Sequence, residues 1–222
     1  MKKMQLFAAL VLSMILAGCA SSQTPMDYTA FKKSQPKSIL VLPPINHSTE
    51  VIAPYGVLAN VTVPLAEAGY YVFPVALVDE TFKNNGLTVA EDIHAVPAKK
   101  LNEIFGADAV MYIEVQQYGT SYAVLSSDTV VVVQAKLADS KTNEILWQGS
   151  ARAASSEQNN GSGGGVIGLL VEAAVTQIME TALDASFQVA ATASGRLLSP
   201  QAPNGLLYGP RSPKYGKDKT PE

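Results

Sequence analysis

Hydrophobic positions change period several times along this chain, and the changes outline its elements. Ile39-Leu40-Val41-Leu42 is an unbroken apolar run stopped by Pro43-Pro44. Such a run predicts a central strand buried on both faces. Residues 45–54 read as a loop. Val57, Val61, Leu65 and Ala68 then recur at three- and four-residue spacing and predict a helix over 56–68. Pro64 removes a hydrogen bond there and predicts a kink or a split; Gly69 ends the helix. A second strand is predicted over 70–73, stopped by Pro74, and a helix over 75–83 runs to Asn84-Asn85-Gly86. A further helix is predicted over 97–105. Pro97 suits its first turn, Leu101, Ile104 and Phe105 form its apolar face, and Gly106 caps it.

From Asp108 the period falls to two. Ala109, Met111, Ile113 and Val115 alternate with Val110, Tyr112, Glu114 and Gln116, which predicts a strand. Another strand is expected over 122–137, with Val130 to Val133 most buried. Asp139-Ser140-Lys141-Thr142-Asn143 is a turn signal. The returning strand over 144–153 carries Ile145 and Trp147, expected on one face. A Gly/Ser/Asn loop from 159 to 165 precedes a long helix, or a pair, over 166–193. Glu172, Thr176, Glu180, Asp184 and Gln188 give that helix a polar stripe. Residues 199–222 hold five prolines and predict an extended tail. The fold class is α/β: one domain, a mixed sheet of about five strands packed with helices, a long C-terminal helix and a Pro-rich tail.

The N-terminus decides where this domain lives. Lys2 and Lys3 precede an apolar run from Leu6 to Leu16 broken only by Ser13. That is the layout of a signal peptide, and it is shorter than the roughly 20 residues of a membrane span. Leu16-Ala17-Gly18-Cys19 resembles a bacterial lipobox, which implies cleavage before Cys19 and acylation of its thiol. Ala20 stands where an aspartate would retain the chain in the inner membrane, so the resemblance implies the outer membrane. The expected division is a signal peptide over 1–18, lipidated Cys19 and a tether to 37, a globular domain over 38–198 and a tail over 199–222. The tether has room for a helical turn or two around Tyr28 to Lys33. Cleavage removes Lys2 and Lys3 and leaves 14 Lys+Arg against 19 Asp+Glu, a formal charge of −5. No basic patch for nucleic acid is present. Cys19 is the only cysteine, so no internal disulfide can form.

Two stretches carry a family resemblance. ILVLPPINHS, residues 39–48, and DSKTNEILWQG, residues 139–149, resemble the first strand and late hairpin of envelope proteins with the TolB N-terminal-like fold. Curli-secretion-type lipoproteins and lipoprotein activators of peptidoglycan synthases belong to that group. With the lipobox, the GGG loop and the NGLLYGP tail, the layout is most similar to a family of outer-membrane lipoproteins that includes a meningococcal surface antigen. The likeness spans roughly 36–213. Asn143 stands where the wider group commonly has glycine, and asparagine tolerates the left-handed conformation. The resemblance implies no enzyme activity and no catalytic residues.

The residues themselves offer little chemistry. His47 and His94 read as solvated loop side chains, too few for a metal site. The glycine run 161–165 lacks the lysine of a phosphate loop, and no Gly-x-Ser-x-Gly elbow is present. No catalytic, cofactor or metal residue is assigned. The final helix packs in the core or forms a subunit contact, which leaves homo-oligomerisation open. Leu206, Leu207 and Tyr208 are too apolar for an idle tail and mark a docking segment, either on their own domain or on a partner. The expected function is a non-enzymatic, periplasm-facing outer-membrane lipoprotein, an accessory or assembly factor of an envelope transport or secretion system. Its partners would be envelope proteins such as a secretion-type lipoprotein. The alternative is a regulatory lipoprotein that binds a peptidoglycan synthase.

Overall fold

A computed structural model describes residues 25–123, 126–159 and 174–218. The signal peptide, Cys19 and the glycine run 161–165 lie outside the described residues. The elements run α1 (Thr29–Ser34), β1 (Ser38–Val41), β2 (Ile45–Asn46), α2 (Ala53–Glu67), β3 (Tyr71–Val72), α3 (Val75–Asn84), α4 (Ala90–His94) and α5 (Ala98–Phe105). They continue as β4 (Ala109–Ala123), β5 (Ser126–Asp139), β6 (Ile145–Ala154), α6 (Ser155–Asn159) and α7 (Ala174–Leu198). The side chains at 121–127 and 158–184 lie outside the description, and with them most of the polar stripe expected on α7.

One mixed six-stranded sheet organises the domain. Its order is β3-β1-β4-β5-β6, with β2 paired to β4. The early strands run parallel and β4, β5 and β6 antiparallel. The alternation read from the sequence sorts residues to two cores. Ile39, Val41, Ala109, Met111, Ile113 and Val115 face the main core with α1, α2 and α7. Leu40, Leu42, Val110 and Tyr112 face a smaller core under α3, α4 and α5. β1 is thus buried on both faces, as its unbroken run predicts.

Several expectations change, each for a local reason. Helix α2 is continuous through Pro64. The proline sits in the last turn, so the lost hydrogen bond interrupts little of the ladder. A bulge between Val115 and Gln117 puts Tyr118 back on the main core face. A second bulge, between Leu137 and Ala138, pairs Leu137 with Trp147 and Ala138 with Ile145 and leaves Leu146 without an opposite residue. Leu146 and Trp147 therefore both enter the core, while Ile145 turns outward at 44% exposure. Leu101 is fully buried on α5, yet Ile104 is exposed. Tyr122 ends β4 instead of opening β5. The short α4 and β2 carried no clear period.

The largest corrections concern the two ends. Residues 26–37, expected as tether, are part of the domain: Tyr28 and Phe31 are buried in the main core. The segment after Leu198, expected as an extended tail, turns at 200–204 and 210–216 and belongs to the domain: Leu206 and Leu207, between the turns, are core residues. Trp147 is buried to 1% exposure, and a Cβ added at Gly149 would lie 2.5 Å from its ring. Replacing Trp147 by alanine should lower the unfolding free energy of the protein by about 3–5 kcal/mol. Denaturant unfolding followed by far-UV circular dichroism measures it.

Candidate functional site

The first and last described segments meet at one end of the sheet, and the C-terminal segment is held there by aromatic donors. Trp147 Nε1 donates to the Asn204 carbonyl at 2.9 Å, Tyr28 Oη to the Gly205 carbonyl at 2.6 Å, and Tyr70 Oη to the Leu207 carbonyl at 2.5 Å. A segment outside helix and sheet has no ladder to satisfy its carbonyls, so buried side-chain donors supply the bonds. Burial pushes the Tyr28 phenol up to about 12 and drives the Tyr70 phenol higher still, with the Asp218 carboxylate adding to both. Both rings therefore remain neutral donors at any physiological pH.

Backbone contacts complete the attachment. Gly209 N donates to Ala68 O at 2.8 Å and Arg211 N to Gly69 O at 3.1 Å. A Cβ on Gly209 would lie 2.6 Å from Gly69 O, so this approach requires glycine. The Met26 amide donates to Asn204 Oδ1 at 2.9 Å, which brings the first described residues onto the same segment. Tyr208 is half-buried, and its amide donates to Asp218 Oδ1 at 2.7 Å. Beside it opens a cavity of about 360 Å³ walled by Phe31, Lys32, Tyr208, Tyr215 and Asp218. Of the docking triplet marked in the sequence, Leu206 and Leu207 pack on their own domain and Tyr208 lines this cavity.

A second concavity lies on the face of the sheet that α3, α4 and α5 leave open. It measures about 430 Å³ and is walled by Tyr112, Glu114, Gln134, Lys136, Gln148 and Ser150. His47 Nε2 lies 3.0 Å from Glu114 Oε2 at its rim, and Lys136 Nζ sits over the Tyr112 ring at 5.1 Å. His94, expected in a solvated loop, instead closes helix α4 and is half-buried. Its Nε2 lies 2.9 Å from Pro43 O, and its ring meets Tyr112 edge-on at 5.3 Å. The structure brings both histidines near one strand, β4, without joining them into a ligand set. Among the described residues, no group of three or more His, Cys, Asp or Glu could hold a metal ion, and no helix is long and apolar enough to cross a membrane. The trough offers mixed donors and acceptors to a polar surface. Only the pairing register of β4, β5 and β6 assembles it, which is why its residues gave no signal in the sequence.

Burial holds the His94 imidazole below its ordinary value of 6.5, with its hydrogen bond to Pro43 opposing the shift. The neutral ring then donates to the Pro43 carbonyl. As pH falls through about 6.5, the unfolded chain takes up a proton before the folded one does. The stabilisation is complete above that pH and declines below it. His94→Gln should flatten the loss of unfolding free energy between about pH 7 and 5, read from denaturant curves across that range. Leu206→Ala tests the attachment of the C-terminal segment. It should cost about 2–5 kcal/mol, whereas an idle tail would leave the unfolding curve unchanged.

Comparison with known proteins agrees with this architecture. A family model described as "Putative lipoprotein GNA1162-like" matches residues 26–211. That range begins where the domain begins here, twelve residues before β1, and includes the C-terminal segment through Arg211. The chain is 52% identical over 212 residues to "Putative lipoprotein NMB1124/NMB1162" of Neisseria meningitidis serogroup B, covering 95% of this chain and 97% of that protein. The crystal structure of lipoprotein GNA1162 from Neisseria meningitidis superposes with a TM-score of 0.52 at 53% identity, over 65% of this chain and 99% of that one.

Proposed function

The chain belongs to the GNA1162-like lipoprotein family, and on that premise we propose a non-enzymatic, periplasm-facing outer-membrane lipoprotein that serves as an accessory or assembly factor of an envelope transport or secretion system. One observation carries this reading. The domain begins at Met26, whose amide is fixed to Asn204, only seven residues after Cys19. Seven residues span at most about 25 Å. With Cys19 acylated, the domain stands at the membrane surface with one end facing it. Three acyl chains make such an anchor stable. A module held this close works on partners in its own membrane. A partner in the opposite membrane would call for a longer tether, which disfavours the regulatory reading with a peptidoglycan synthase. Leu206 and Leu207 are already committed to their own core, so they serve stability and partner contacts fall to other surfaces.

Two measurements test this. Cys19→Ser should abolish incorporation of labelled palmitate and release the protein from the membrane fraction; continued labelling would refute the anchor. Crosslinking of the full lipidated chain in intact envelopes should recover an outer-membrane transport or secretion component. Recovery of an inner-membrane synthase instead would select the regulatory reading.

A further inference from the structure

The sheet ends in two edges of different character. β3 is two residues long, and Arg211 lies over its Tyr71 ring at 5.5 Å. Short and covered, it offers little to another strand. β6 is ten residues long, and its outer side can be read from the ladder. In an antiparallel pair, residues that turn N–H and C=O toward the neighbour alternate with residues that turn both away. Asp139 N donates to Glu144 O at 2.9 Å, so the odd residues of β5 point to β6. The even ones then point to β4, and the odd residues of β4 point to β1 and β2. Leu42 N on Met111 O and His47 N on Val115 O agree with this parity. Leu137 pairs with Trp147, Ala135 with Gly149 and Val133 with Ala151. The odd residues of β6 are thus tied to β5, and Gln148, Ser150 and Arg152 turn their backbone groups outward. Arg196 agrees as well: from α7, its Nη1 donates to Arg152 O at 2.9 Å.

Among the described residues, the Gln148, Ser150 and Arg152 amides and the Gln148 and Ser150 carbonyls meet no partner, and all three residues are exposed. The stretch 148–151 has no proline, charge or bulge, the usual guards of an edge. Its outward donors and acceptors recur every second residue, about 6.8 Å apart. That is the repeat of an extended polypeptide, so a backbone is what this edge matches. The polar trough opens along the same edge, with Gln148 and Ser150 in its wall. A strand added there lays every second side chain in the trough. The others fall beside Gly149 and Ala151, where small residues leave room. Charge narrows the choice further. Glu157 meets both Arg152, at 3.1 Å, and Arg196, at 2.6 Å, and Glu114 meets His47 and Gln116. Lys136, opposite Gln148 in the register, meets no carboxylate among the described residues and lies over Tyr112. We propose that β6 takes an extended segment of a partner protein as a further strand along Gln148 to Arg152, with a carboxylate side chain of that segment in the trough beside Lys136. This gives the accessory factor proposed above its point of contact. It rests on that reading for a partner in the envelope, and not on the Cys19 anchor.

Hydrogen exchange on the full chain reads the edge residue by residue. In the protein alone, the Gln148 and Ser150 amides should exchange at least about tenfold faster than those of Gly149 and Ala151. The probe is a capped heptapeptide that alternates valine with threonine and carries glutamate in place of the central threonine. At about ten times its Kd it should slow Gln148 and Ser150 about tenfold and leave Gly149 and Ala151 as they were. N-methylation of the alternate peptide amides that face β6 should abolish the effect, and methylation of the other set should not. Ser150→Pro removes one outward donor at a place where an edge strand tolerates proline. It should keep the melting curve and lose the peptide's protection of Gln148. Lys136→Met should weaken the glutamate peptide about two- to fivefold and leave a glutamine analogue unchanged. Gln148 and Ser150 amides as slow as that of Gly149 in the protein alone mean that the chain covers its own edge. Slowing that grows with protein concentration means that a second copy covers it. Either result overturns the proposal, as does an inert peptide or a peptide effect that survives both methylated forms. A failed functional reading shows in the envelope crosslinks and a failed anchor in labelled palmitate, so neither is confused with a closed edge.

Discussion

Three aromatic donors hold one segment, and the rest of the structure closes around them. Trp147 comes from the edge strand β6, Tyr28 from the chain before α1 and Tyr70 from the corner between α2 and β3. Their bonds fall on the carbonyls of Asn204, Gly205 and Leu207. Unpaired, those carbonyls would make burial of Leu206 and Leu207 unfavourable, since a buried orphan acceptor costs about 1–3 kcal/mol. With them paired, the two leucines fill the open end of the main core. The aromatic rings serve as packing and as hydrogen-bond partners at once, and elements distant in sequence share one anchor point.

The sheet is asymmetric for a related reason. Its first half is covered on both faces, by α1, α2 and α7 on one side and by α3, α4 and α5 on the other. Its second half, β5 and β6, is covered on one face only. Gln134, Lys136, Gln148, Ser150 and Arg152 face outward there, and the polar trough results. Two bulges manage the transition. The one after Val115 returns Tyr118 to the main core, and the one at Leu137 lets Leu146 and Trp147 enter together.

What the sequence disclosed follows from the range over which each signal acts. The unbroken run at Ile39 to Leu42, the alternation from Ala109 and the turn closed by left-handed Asn143 are local patterns, and all three appear in the fold. Period counting failed at Ile145 because a bulge changes parity, and nothing in DSKTNEILWQG marks its place. It failed at Ile104 because an apolar helix position is buried only where a neighbour covers it. The polar composition of residues 20–37 suggested a tether, although Tyr28 and Phe31 stood in it. Their burial depends on partners such as Gly205, 177 residues away. Leu206, Leu207 and Tyr208 were conspicuous in the sequence, but only the positions of Trp147 and Tyr70 determine what they dock against. Tyr55 and Val63 of α2 are exposed for the same reason as Ile104.

The wide separation of the bonded partners also constrains how the chain is made. A polypeptide emerges N-terminus first, and contacts of such long sequence separation form late and slowly. Tyr28 and Trp147 wait, without their acceptors, until residues 204–207 of a 222-residue chain have emerged. No shorter nascent chain can complete the main core. The main core therefore locks only when the segment carrying Leu206 and Leu207 has arrived, so the order of synthesis and the order of packing are tied at this one place.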